Sequence, residues 1–560
     1  MTQGRAAIAG GGLPDLLSAW AEPGRAGWIP DAWNASGLPW TLAGLGPGAV
    51  RIEEANAAPG ATPAPGVAGA RRALGSSDSV QVAWADDGAW LGFGAPLARV
   101  EGTTRASPEH AAAIIQLLTG ANGYESNGLG VARGDARSGI NADILSGSHG
   151  AQGWTEREGR HLWGGSARGT RGAHSWSATY AQRGTGVRLA EDPVNFVGGE
   201  EENAAGESGT FDYRYRKSSW WAGAALARGY DHHESSGDTL RYSRRDAAEN
   251  RAALEAGFSA LKSDVTVRLE VRRATAARVT LGATEFDRTA TQWWGAVKAE
   301  RVLRGGRLEA TLGGGRDGGT ERNAWAPTLA WAGAGGALDA RVSVGRLLEP
   351  VWTDLAPGTA PFLQSTWAAG AHLGARAAHG QARLQLAAGQ TSDRALVSRL
   401  PLAELWLRAG LRRDPLRYRF ALAELAGEGT LGALVGSGEG FLLGRDRDDG
   451  EPQVDPSWGA RAAAGCRFHA FKGDLGVELR GEAEWTGARQ TQEPVPHALP
   501  TYTSLGAAAV LTLADATLTL RARNLEDRPQ PQVWISTATG RPAQGPGTEF
   551  RVSFTWRLFN

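Results

Sequence analysis

The feature that most constrains this chain is an alternation of apolar and polar residues in long runs, recurring from about residue 145 to the end. In Val265-Thr266-Val267-Arg268-Leu269-Glu270-Val271-Arg272 the odd positions are apolar and the even ones polar or charged. Leu338-Asp339-Ala340-Arg341-Val342-Ser343-Val344 repeats the scheme. A period of two sends successive side chains to opposite faces of an extended chain, so these runs read as half-buried β-strands. The segments 475–485 and 550–558 hold the alternation over spans long enough to cross a bilayer as tilted strands.

The connections between strands sharpen this reading. Gly, Asp and Lys mark tight turns at Lys262-Ser263-Asp264, Gly305-Gly306, Gly335-Gly336, His379-Gly380, Arg413-Asp414, Lys472-Gly473 and Ala514-Asp515. Longer polar connections lie between them, at 275–289, 314–322, 347–364, 390–401, 426–456, 487–501 and 525–546. Short and long links alternate, as in a meander with short turns at one end and long loops at the other, which is the pattern of an outer-membrane barrel. Counting back from the last strand gives about twenty strands to residue 145, and candidates at Ser79–Trp84 and Trp90–Phe93 widen the range to about twenty to twenty-two. A sheet of that size closes around a lumen that side chains cannot fill.

One face of each strand is Leu, Val, Ala, Phe and Trp, and the other mixes Arg, Glu, Asp, Thr and Gln. The charged face must be wet, because an Arg at the lipid midplane costs about 2 to 4 kcal/mol. The inward candidates are Arg268, Glu270, Arg272, Arg307, Glu309, Arg341, Glu478, Arg480, Glu482, Arg521 and Arg523. They read either as a lining for passage or, more simply, as cross-strand pairs that stiffen a wide barrel. Trp220-Trp221, Trp293-Trp294, Trp406, Trp485 and Trp556 sit near proposed strand ends, where aromatic girdles form. A soluble antiparallel sheet protein with the apolar face as its core is the alternative. No run reaches the roughly 18 apolar residues of a membrane-spanning helix.

The first 125 residues read differently. They hold a Pro/Ala/Gly stretch at 57–66 and a predicted helix capped by Ser107-Pro108-Glu109 with its body at Ala111–Leu118. We therefore divide the chain into a small plug-like region at 1–125 and a barrel at 126–560. Gly10 to Gly12 and Pro14 interrupt any apolar core of a signal peptide near Met1.

The C-terminus carries the most specific motif. Asn524-Leu525-Glu526-Asp527-Arg528, then Pro546-Gly547-Thr548-Glu549-Phe550, then a last strand ending Trp556-Arg557-Leu558-Phe559-Asn560, resemble the end of TonB-dependent outer-membrane receptors. Thr548 stands where Arg is usual, and Asn560 follows the terminal aromatic. Leu13-Pro14-Asp15-Leu16-Leu17 and Val50-Arg51-Ile52-Glu53 look like segments of that family's plug, which is shortened here, and no TonB box is visible. The resemblance implies an outer membrane of a Gram-negative bacterium, lipid around the barrel, and Phe550, Val552, Phe554, Trp556, Leu558 and Phe559 as the signal read by the barrel-assembly machinery. It also implies TonB as an energising partner and a scarce small-molecule ligand, such as a metal chelate or cofactor, captured by loops including 184–208, 230–248, 347–364 and 426–456. The alternative is a passive channel or structural barrel without energised gating.

Other chemistries find little footing. The 59 Lys plus Arg balance 59 Asp plus Glu with no basic block, which argues against a nucleic-acid partner. Lys217, Lys262, Lys298 and Lys472 are the only lysines and none lies in a phosphate loop. Ser146-Gly147-Ser148-His149-Gly150 lacks the first Gly of a nucleophile elbow. Cys466 is the sole thiol, which excludes a disulfide framework or a cysteine metal cluster within the chain. Asp231-His232-His233-Glu234 could meet a divalent ion, but adjacent His residues on a strand point opposite ways, so it reads as a solvated external loop. The acidic run 445–451 is interspersed with Arg and reads as a self-neutralising loop. No catalytic residue, metal ligand or cofactor is expected.

Overall fold

The structure is a computed structural model; it describes residues 50–54, 77–84, 88–95 and 98–104 of the N-terminal region and most of 112–558. Among the described residues, twenty-two strands form one closed antiparallel barrel. Each pairs with its neighbours in sequence, and the ring closes where Ala112–Gly120 lies antiparallel to the terminal strand Glu549–Leu558, with Leu117 opposite Phe554. The all-β architecture follows from the alternation, as do the twenty wall strands from Ile140 onward; the two that complete the ring, Ala112–Gly120 and Glu125–Asp135, are not the two further candidates that the sequence offered.

The wall is inside out relative to a soluble sheet protein. Leu254, Leu269 and Trp293 are 64%, 61% and 60% exposed on its outer face, whereas Arg268 and Glu270 on its inner face are 0% and 7% exposed. Apolar groups so exposed around a whole sheet would be unfavourable in water at about 25 cal/mol per Å², and they match a lipid-facing wall. The soluble alternative, which needs the apolar face as a core, is thereby set aside.

One rim carries short links, among them 172–173, 304–305, 336–337 and 514–515. The other carries 352–361, 393–417, 487–501 and 524–548, and three small two-stranded ribbons fall within these last three links. Several boundaries differ from expectation. Arg413–Asp414 is not a barrel turn: Leu411–Asp414 pairs with Arg394–Val397 in one of those ribbons. The true short turn lies at 432–433, with Gly432 at φ 61°, between Tyr418–Leu431 and Leu434–Arg445. Those two strands fill much of the expected 426–456 loop, whose part beyond Asp446 lies outside the described residues. The 230–248 and 275–289 loops are likewise mostly strand, because Trp220–Ser236, Ser243–Ala260, Ser263–Thr280 and Ala283–Leu303 stay paired over 17 to 21 residues, more than the roughly 9 to 11 that a tilted strand needs to cross a bilayer. The 184–208 loop shrinks for the same reason, since His174–Leu189 and Glu201–Arg216 flank it.

Three N-terminal expectations change as well. Ala111–Leu118 is not a helix: Ala112–Gly120 is the strand that closes the barrel, so the wall begins inside the segment placed before it. A free edge on a large sheet leaves a row of unpaired backbone groups, and satisfying it outweighs a local capping signal. Ser79–Trp84 does pair: Ser77–Trp84 runs antiparallel to Ala98–Thr104, which is parallel to Val50–Glu54 on its other side. Trp90–Phe93 is not a strand but one helical turn, Gly88–Leu91, followed by a single bridge at Phe93.

Candidate functional site in the lumen

Residues 88–95 form a strap bound to the inner wall of the barrel. Its side chains Ala89, Trp90, Leu91, Phe93 and Ala95 are buried in one apolar cluster with Trp294, Leu347, Leu348, Phe420 and Phe441 of the wall. Three glycines allow the close approach. A Cβ on Gly92, which sits at φ +71°, would lie 2.5 Å from the Trp294 ring, and one on Gly88 would lie 2.4 Å from the Arg346 carbonyl oxygen. Gly94 sits at φ +75°. Such positions favour glycine on both steric and conformational grounds.

Hydrogen bonds fix the strap along its length. The Trp294 indole N–H donates to the Ala89 carbonyl at 2.9 Å, Ala89 N–H donates to Thr328 Oγ1 at 3.3 Å, and Arg272 donates to the Phe93 carbonyl at 2.9 Å. Trp90 lies under two cations, with Lys298 Nζ 5.0 Å and the Arg268 guanidinium 5.8 Å from its ring centroid. Desolvated cation–ring contacts of this kind contribute about 1 to 2 kcal/mol each.

Beside the strap the lumen wall is a network of paired charges. Arg268 donates to Glu255 at 2.6 Å and to Glu270, and Arg272 pairs with Glu249, which also meets Arg251. Lys298 lies 3.1 Å from Glu300, and Arg214 lies 3.4 Å from Glu255. Elsewhere Arg467 meets Glu478 at 2.6 Å, Arg480 meets the same carboxylate, Arg521 meets Glu482 at 2.8 Å and Arg307 meets Glu300. The pairing runs between strands at Arg268–Glu255, Arg272–Glu249, Arg214–Glu255, Arg467–Glu478, Arg521–Glu482 and Arg307–Glu300, and along one strand, two residues apart, at Arg268–Glu270, Glu249–Arg251, Lys298–Glu300 and Glu478–Arg480. The inner face is not uniformly charged, however. Tyr418, Phe420, Leu422, Phe441 and Leu443 also point inward, in the same apolar cluster that receives the strap. Adjacent tryptophans split between the faces: Trp293 is 60% exposed outside and Trp294 is 4% exposed inside. Trp220 and Trp556 are exposed outside, Trp485 is half-buried, and Trp406 lies outside the described residues.

The other expected sites fall as follows. His232 belongs to a strand, not a loop, and its Nδ1 lies 2.7 Å from Asp246, which also accepts from Tyr230 and Arg244. No group of three metal-capable side chains occurs among the described residues. On the last strand Phe550, Val552 and Trp556 are exposed on the lipid-facing side, Phe554 and Leu558 are half-buried, and Phe559 lies outside the described residues. The Asn524–Arg528 motif is a stapled turn. Asn524 Nδ2 donates to the Arg528 carbonyl at 2.6 Å, while Thr548 donates through Oγ1 to the Asn524 carbonyl and through N–H to Asp527 Oδ1, both at 2.9 Å. Thr548, which stands where the resemblance leads one to expect Arg, thus ties the start of the last strand to the turn that ends Ala516–Arg523, and the ladder from Arg523 opposite Glu549 continues the pairing.

No family model matches the sequence, and no curated protein matches it. Solved structures do. The siderophore receptor PirA from Acinetobacter baumannii aligns over 92% of this chain and 91% of its own at 10% identity, with a TM-score of 0.68. The ferric yersiniabactin uptake receptor FyuA from Yersinia pestis covers 91% and 89% at 11% identity with a TM-score of 0.69, and the copper transporter OprC covers 91% and 90% at 12% identity with the same score. The chain has the fold of the TonB-dependent receptors. The match spans nearly the whole length of each chain.

The strap is the feature that sequence reasoning missed. Its signal was the glycine spacing around two aromatics in Gly88-Ala89-Trp90-Leu91-Gly92-Phe93-Gly94, which marks a backbone that must approach another surface closely.

Proposed function

We propose that the chain is an outer-membrane receptor that imports a scarce ligand, of the metal-chelate or cofactor class, through its barrel. The observation that carries this reading is the N-terminal strap fastened inside a wide, charge-lined, closed barrel. A structural barrel has no use for such an insert, whereas an importer must block its lumen between transport events. Likeness in fold to receptors named for siderophore and copper uptake supports the ligand class. In this reading the region before Ala112 is a reduced plug, the long-link rim faces outward and captures ligand, and TonB supplies the energy. Phe550, Val552, Phe554, Trp556, Leu558 and Phe559 are the part the assembly machinery reads, and no chemical reaction is catalysed.

The test is uptake of a panel of ferric chelates and copper by a receptor-deficient Gram-negative host expressing the full chain, with and without a proton-motive uncoupler. Uptake of at least one ligand that the uncoupler abolishes is expected. Uncoupler-insensitive uptake together with free ion conductance in planar bilayers would move the assignment to a passive channel.

A further inference from the structure

The barrel wall is not hydrogen-bonded along its full height between Arg322–Gly335 and Leu338–Val351. Their ladder runs from Gly335 opposite Leu338 to Thr328 opposite Gly345 and stops. The first strand nevertheless continues to Arg322, paired on its other side with Asp317, and the second continues to Val351, paired on its other side with Phe362. Residues 322–327 and 346–351 therefore face each other across a seam roughly 20 Å long at about 3.3 Å per residue. Among the described residues this is the one neighbouring pair of barrel strands in which both partners run on by more than a residue after their ladder ends. Each segment carries a proline, Pro327 and Pro350, which cannot donate to a ladder.

Two devices close the seam. From inside, Gly94 N–H donates to the Leu348 carbonyl at 2.7 Å and Phe93 bridges Leu348 in the parallel sense. The strap thus occupies the strand edge that the neighbouring wall strand leaves free. Its helical turn donates from Ala89 N–H to Thr328, the residue of the first strand at which the ladder ends. From outside, Arg346 reaches across: its guanidinium donates to the Trp325 carbonyl at 3.0 Å and to Ser365 Oγ at 2.9 Å, and lies 5.5 Å from the Trp325 ring. Trp325 is 54% exposed, whereas Ala326 and Leu348 on the two banks are 0% exposed.

We propose that this seam is a lateral portal between lumen and surrounding lipid, latched by residues 88–95. With the strap docked the wall is continuous. With the strap withdrawn, the banks lose their backbone bridge and their apolar side chains face a slit that admits an apolar group from the lipid phase. This rests on the membrane reading above, and goes beyond it in predicting an opening sideways and not only along the barrel axis.

The test uses the full chain in phosphatidylcholine vesicles, with Cys466→Ser and Ala326→Cys placing a single thiol on one bank. Labelling is followed with a lipid-tailed maleimide and with a charged, water-soluble one. The native strap should protect the thiol from both. Gly92→Val, which drives the strap into Trp294, should raise lipid-phase labelling about tenfold, as expected when a local opening equilibrium is shifted. Arg346→Ala, which removes the outer stitch and leaves the strap intact, should raise it about threefold by the same equilibrium. No rise in either variant overturns the portal, as does a rise confined to the water-soluble reagent, which would mean that the strap covers the wall without closing it. Heat-modifiable gel mobility reports insertion separately, so a native chain that fails to insert overturns the membrane reading and the portal with it.

Discussion

At the scale of single residues, the lumen charges decide more than their number suggests. Arg268 has a side chain 0% exposed between Glu255 and Glu270, whose side chains are 5% and 6% exposed. Removing one partner of a buried charge set leaves the others unpaired at a cost of about 3 to 5 kcal/mol. Arg268→Met should therefore lower the temperature at which the folded band is lost in heat-modifiable electrophoresis, and it should also loosen the cation over Trp90. The double change Arg268→Met with Glu255→Gln should recover part of the loss. Equal stability of all three proteins would mean that water solvates these groups and that the network is only a lining. Thr548 makes the complementary point. Reading the family pattern marked it as a departure, yet its hydroxyl and N–H staple the Asn524 turn. Thr548→Val should cost about 1 kcal/mol through the lost hydroxyl bond, read as a small shift in the same melting assay.

At the scale of elements, legibility followed how much each strand owes to local pattern. Strands such as Ser263–Thr280 alternate cleanly because one face meets lipid and the other paired charges, so their existence was plain from the sequence. Their upper ends were not, since a strand that continues beyond lipid no longer needs an apolar face, and polar sequence at 275–289 looks like loop. The Arg413–Asp414 turn misled for another reason: its residues look like a hairpin turn, but Leu411–Asp414 pairs with Arg394–Val397, and the edge of Gly380–Ser392 goes to Tyr418–Leu431, whose Tyr418, Phe420 and Leu422 serve the apolar patch that receives the strap. Ala112–Gly120 was obscured by a helix signal that only barrel closure overrides. That closure is testable. Leu117 is 51% exposed on the outer face opposite Phe554, so Leu117→Arg should cost about 2 to 4 kcal/mol if lipid covers it. Refolding yield into vesicles should fall, while refolding into a detergent that tolerates charge at that depth should not. An unchanged yield in vesicles would place this strand out of lipid and reopen the ring.

At the scale of the whole molecule, two facts meet. All twenty-two wall strands lie from Ala112 onward, and the strap at 88–95 lies before them. The sheet can therefore close without the N-terminal region, but it cannot fill a lumen of that width. A chain beginning at Ala112 should insert, show heat-modifiable mobility, and conduct ions in planar bilayers, whereas the full chain should conduct little. Its melting should also come at a lower temperature, because Trp294, Leu348 and the apolar patch around Phe420 and Phe441 would lose the side chains that cover them. Burial lost at about 25 cal/mol per Å² and the open edge at Leu348 act in the same direction. Conductance that rises without any loss of thermal stability would indicate that the N-terminal region occludes the lumen from elsewhere and that the contacts of residues 88–95 add nothing to the wall. A truncated chain that stays closed would remove the occluding role altogether and leave the barrel to be narrowed by its own long links.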